Sequence, residues 1–160
     1  MKSNAPLKTC FLLTACCFLL AGCEYDVPIT SKPTSKIDER LLGNWVSQDQ
    51  KDSMQVGKYD DSNYVVSLKT GGLFRVFSSA IEDVQFVSVQ DISKSGRKFY
   101  YWVWKLGPDD NLSLRNVNDK IVPDSTRDSK SVQKLLKENL KNPELLGKET
   151  IFVREQKQAG

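Results

Sequence analysis

The chain contains no histidine, and its four cysteines (Cys10, Cys16, Cys17 and Cys23) all lie within the first 23 residues. Each absence removes a class of chemistry. Without histidine there is no Ser-His-Asp or Cys-His apparatus and no zinc site built on imidazole. Beyond residue 23 there is no thiol, so no disulfide staples the remainder and its core alone must hold it. Long apolar runs are also missing. The most apolar stretch, residues 11–21, is eleven residues without a charge, against the roughly 20 needed to cross a bilayer. No strand, glycine-rich turn and helix follow one another as a phosphate loop requires, and Gly71-Gly72 reads as a hairpin turn. The sequence therefore supplies no cofactor or metal motif.

Lys2 and Lys8 precede the eleven-residue run, giving a positive start and an apolar stretch of signal-peptide length. Leu20-Ala21-Gly22-Cys23 follows directly. This order resembles the lipobox of bacterial lipoproteins. The resemblance implies cleavage between Gly22 and Cys23, diacylglycerol in thioether linkage on Cys23, and a membrane anchor of two or three acyl chains. One chain holds only weakly, so more than one is needed for stable attachment. The residue after the cysteine is Glu24 and not aspartate. Within the resemblance this points to the outer membrane, facing the periplasm, where the organism has one.

Loss of residues 1–22 takes two lysines from the 23 basic residues and none from the 20 acidic ones. What remains is close to neutral. The basic isoelectric point of the whole chain is thus no sign of a nucleic-acid partner.

Residues 24–36 contain Pro28, Pro33 and small polar side chains, the composition of a linker. These thirteen residues would reach at most about 45 Å when extended. They are expected to be a lipidated tether (residues 23–36) in front of a β-rich globular domain (37–155) and a short tail (156–160).

From residue 37 the apolar pattern has a period near two. Short runs rich in Val, Ile, Tyr, Phe and Trp alternate with turn clusters at 60–63, 69–72, 93–96 and 107–111. This predicts an antiparallel meander. Val132, Leu135, Leu136 and Leu140 then fall on one helical face. Asp128 or Ser129 is placed to cap that helix and Pro143 to end it, with one further turn closed by Gly147. The surrounding lysines read as a solvated face. A last strand runs through residues 150–154. The expected fold is mainly β: about eight strands closing into a barrel or a sandwich, with one helix before the last strand. Closure would remove the open edges.

Leu41-Leu42-Gly43-Asn44-Trp45 opens the first strand. This resembles the Gly-x-Trp signature of lipocalin-like, or calycin, barrels. The resemblance implies that Trp45 closes one end of the barrel and packs under a basic residue of the last strand, for which Arg154 is in position. The helix departs from the pattern, since in true lipocalins it follows the last barrel strand.

Residues 99–106 are the densest aromatic stretch. Alternation puts Tyr100, Trp102, Trp104 and Leu106 on one face and Phe99, Tyr101 and Val103 on the other. Either the helix covers the outer face, or Tyr100, Trp102 and Trp104 form a ligand or partner surface. Asp60-Asp61 and Asp109-Asp110 sit in turn clusters, where aspartate bonds its own backbone. The expected function is a membrane-anchored, non-enzymatic domain that binds a small apolar ligand or an envelope protein. A hydrolase working through Asp/Glu or Ser/Lys is the competing class.

Overall fold

The computed structural model describes residues 23–155. The expected signal segment 1–22, with Leu20, Ala21 and Gly22, and the expected tail 156–160 lie outside the described residues. Eight strands form one closed antiparallel barrel: β1 Gly43–Ser47, β2 Ser53–Lys58, β3 Asn63–Leu68, β4 Leu73–Ile81, β5 Val84–Asp91, β6 Phe99–Leu106, β7 Leu112–Asn116 and β8 Thr150–Arg154. Each strand pairs with the next, and β8 returns to β1 with Trp45 opposite Arg154 and Ser47 opposite Phe152. The helix α1, Ser129–Glu138, precedes β8. The fold is the mainly β barrel expected, compatible with a lipocalin-like architecture.

Period-two alternation decides what fills the barrel. Trp45, Val56, Tyr64, Val76, Trp102 and Phe152 belong to one buried cluster inside it. Polar partners of these residues in sequence, such as Asn44 and Gln55, point outward and are exposed. Strands β4, β5 and β6 depart from this rule. Their outward residues Phe77, Ile81, Phe86, Phe99 and Tyr101 are also buried, in a second cluster. A strand apolar on both faces must be covered on both.

Two elements provide the outer cover. Val132 and Leu136 of α1 are fully buried in the second cluster. Asp128 caps α1 by accepting from the Ser131 amide at 2.9 Å. The helix stops at Glu138, short of Pro143. The expectation that Pro143 ends it is corrected: Asn139 is the C-cap, and its side-chain amide donates to the Leu135 carbonyl at 2.9 Å. Pro143 and Glu144 form a non-helical turn, and Leu146 then bridges to Val117.

The second cover is the segment expected to be a free tether, and this expectation is corrected as well. Tyr25 is 1 % exposed and Ile29 fully buried. Tyr25 exchanges backbone hydrogen bonds with Phe99. The Ile29 amide donates to Ser88 Oγ at 3.0 Å, and Thr30 Oγ1 lies 2.7 Å from Ser79 Oγ. Thr34 bonds the Ser78 carbonyl and the Ala80 amide. Residues 24–36 are therefore a strap laid across the outside of β6, β5 and β4. Its physical reason is the double-faced apolarity of those strands, together with two fully buried serines that need partners.

The hairpins alternate between the two ends of the barrel. The end holding the Glu39–Leu41 3-10 helix is closed. There the Trp45 indole donates to the Leu41 carbonyl at 2.9 Å. The Arg154 guanidinium carbon lies 4.5 Å from the centre of the Trp45 ring, where a cation is favoured. The same guanidinium donates to the Leu42 carbonyl at 3.0 Å and to Asp110 at 2.5 Å. Gly43 has φ +133°, and a Cβ there would meet Arg154 Nη1 at 3.0 Å. Only glycine suits that backbone and that approach.

If the strap is part of the packed domain, Ile29→Ala costs about 2–5 kcal/mol, the usual range for a large buried aliphatic cut to alanine. A free tether would give no change in the denaturant midpoint. Trp45→Ala costs about 3–5 kcal/mol on the same grounds, and Arg154→Gln a smaller amount, of the order of 1 kcal/mol, as expected for a lost cation–ring contact.

Candidate functional site

At the other end of the barrel, its mouth, the start of β6 meets the N-terminal end of the strap. Strand β6 begins there, paired with β5 through Phe99 opposite Gln90 and Tyr100 opposite Val89. Tyr100, Trp102 and Trp104 point inward. They line an apolar cavity of ≈ 50 Å³ together with Met54, Leu68 and Val89. Trp104 meets Tyr64 edge-on, with ring centres 4.9 Å apart. These aromatics are thus the barrel lining and not an exposed outer patch. Their neighbours Phe99, Tyr101 and Val103 lie under the strap and helix.

The strap reaches the mouth at its N-terminal end. The Tyr100 hydroxyl donates to Glu24 Oε1 at 2.9 Å. The Tyr25 ring stacks on Tyr101 at 3.8 Å between centres. The Tyr25 hydroxyl donates to the Val122 carbonyl at 2.7 Å, and that of Tyr101 to the Val27 carbonyl at 2.6 Å. Burial first, and nearby acidic groups second, hold both of these phenols well above the ordinary tyrosine range. They stay neutral donors at any physiological pH. Tyr100 is raised in the same way, with the Glu24 hydrogen bond adding to burial.

Cys23 sits beside this cluster, packed against the second core. Its Sγ donates to Asp119 Oδ2 at 3.0 Å. That hydrogen bond, then burial and the charges of Asp119 and Asp124, push its pKa from 9.0 up to about 11. The unmodified side chain is therefore a protonated thiol at neutral pH, with no intrinsic nucleophilic activation.

The remaining sequence candidates fall apart from the mouth. Asp60 accepts from the amides of Ser62 and Asn63 at 2.7 and 2.8 Å, the aspartate turn its position predicts. Asp61 pairs with Lys58 at 2.8 Å, and Asp110 pairs with Arg154. All lie at the closed end in separate contacts. Among the described residues, no group of three or more Cys, Asp or Glu is placed to hold a metal ion. No helix of the described residues is long and apolar enough to cross a membrane.

Sequence reasoning missed Glu24, Tyr25, Ile29 and Asp119. A signal for the strap was present: Tyr25, Val27 and Ile29 alternate with polar or proline residues, a strand-like period of two. Asp119 carries no such signal, because its partner is 96 residues away.

Compared with models of protein families, with curated proteins and with solved structures, the chain finds no match. What it does rests on its own geometry.

With Cys23 as the free thiol, its alkylation rate should follow a thiolate with a midpoint near pH 11. Asp119→Ala removes both the acceptor and a charge, and brings the midpoint down toward 9.0. A midpoint that does not move on this substitution contradicts the assigned contact.

Proposed function

We propose that this chain is an envelope lipoprotein, cleaved between Gly22 and Cys23 and acylated on Cys23. Its lipocalin-like barrel is a non-enzymatic binding domain for a small apolar ligand. Support for the anchor comes from the ordered signal features in the sequence. Support for binding comes from one observation above all, the apolar cavity inside the barrel lined by Tyr100, Trp102 and Trp104. With Sγ in thioether linkage, Asp119 no longer receives a proton from it, so the contact seen here is that of the unacylated side chain.

The cavity volume limits the ligand. Pockets for drug-sized molecules span roughly 300–1,000 Å³, and the cavity here is ≈ 50 Å³. It takes a slim apolar group, such as the end of an alkyl chain, and a bulkier ligand requires Met54 or Trp104 to turn aside. A catalytic reading finds no support in Asp60, Asp61 and Asp110, which are engaged in a turn and in ion pairs.

Two measurements test the proposal. Cys23→Ser should shift the protein from the membrane to the soluble fraction, with loss of the acyl mass. Continued attachment of that variant contradicts the anchor. A brominated fatty acid should quench Trp102 and Trp104 emission, and Val89→Phe, which narrows the cavity, should abolish the effect. Quenching that is absent, or unaltered by Val89→Phe, contradicts the cavity as the binding site.

A further inference from the structure

The loops at the two ends of the barrel differ in charge. At the closed end, hairpin loops 59–62, 82–83 and 107–111 contain Asp60, Asp61, Glu82, Asp83, Asp109 and Asp110 and no basic residue. At the mouth, loops 69–72 and 92–98 contain Lys69, Lys94, Arg97 and Lys98 and no acidic one. The partners of two of these cations are set back from the tips: Lys94 lies 3.4 Å from Asp91, whose side chain is 4 % exposed, and Lys98 pairs with Asp26 of the strap. The third mouth hairpin, residues 48–52, holds Asp49, Lys51 and Asp52. Asp119 and Asp124, beside Cys23, belong to the segment after β7.

The same two basic hairpins carry exposed apolar side chains. Leu73 is 41 % and Ile92 37 % exposed, and the Ile92 amide donates to the Leu73 carbonyl at 2.9 Å. Tyr59 is the other exposed large apolar side chain among the described residues. Two of the three thus stand side by side at the mouth, flanked by cations. Apolar residues ringed by lysine and arginine are the chemistry of an anionic lipid interface, where the cations meet head groups and the apolar tips enter the acyl boundary.

We propose that the barrel mouth docks on an anionic lipid surface through the tips 69–73 and 92–98. The inference deepens the reading of Cys23 as the anchor and rests on it. Because the strap is packed along the barrel, Cys23 is held at the mouth end, and the acyl chains would emerge on the docking side. The end with the acidic hairpin loops then points away from the membrane.

The test uses the processed, acylated protein in vesicles of phosphatidylcholine, with and without phosphatidylglycerol. Amide hydrogen exchange at 70–72 and 93–97 should slow several-fold in the anionic vesicles only. Exchange at 59–62, 82–83 and 107–111 should be the same in both. Lys69→Glu with Arg97→Glu should erase the slowing, as should high salt, and Leu73→Ser with Ile92→Ser should weaken it while the folded core exchanges as before. Equal exchange at the mouth in both vesicles, or slowing at the acidic end, overturns the docking. The mass of the Cys23 peptide reads the anchor separately: an unacylated cysteine overturns the anchor, whereas an acylated protein without slowing overturns only the docking.

Discussion

The structure depends on one constraint: β4, β5 and β6 are apolar on both faces, and each face must be removed from water. The inward residues meet across the barrel axis and drive its closure. The outward residues, Phe77, Phe86 and Tyr101 among them, require a second layer. A strap and a single helix provide it. Each buried side chain of that layer is worth roughly 1.5–3 kcal/mol relative to exposure. Total stabilities are commonly about 5–15 kcal/mol, so the outer layer is no ornament.

From that constraint follows the position of the N-terminal end. Tyr25 is locked by a stack on Tyr101, a hydroxyl bond to the Val122 carbonyl and a backbone pair with Phe99. Cys23 is only two residues further on and lies against the same cluster. An acyl group on Cys23 would thus be placed by the fold itself. On the proposed reading, the orientation of the barrel toward a membrane would follow from this packing.

Much of the barrel was legible in the sequence, and the reasons are physical. Alternation of apolar residues with turn clusters reports strands directly, and the Val132, Leu135 and Leu136 spacing reports a helix. The aromatic density of β6 told that both faces were buried or that one was exposed; choosing between them needed the partner layer. The strap was hidden by its composition. Pro28, Pro33 and the serines and threonines around them read as linker, yet Thr30 and Thr34 use their hydroxyls on Ser79, Ser78 and Ala80, more than forty residues distant. Such contacts leave no local trace. The helix end was misread for a different, local reason: Asn139 caps it before Pro143 can act. The site was less legible than the fold, since the Glu24–Tyr100 and Cys23–Asp119 contacts join residues 76 and 96 positions apart.

The central claim is that residues 24–36 belong to the folded domain and fix Cys23 at the mouth. Amide exchange at Tyr25 and Ile29 tests it most directly, because their donors are bound to the Phe99 carbonyl and to Ser88 Oγ. The account predicts protection at both amides comparable to that of β5 and β6, lost only when the barrel opens. Exchange at the rate of an unstructured chain, with β5 and β6 still protected, would contradict it.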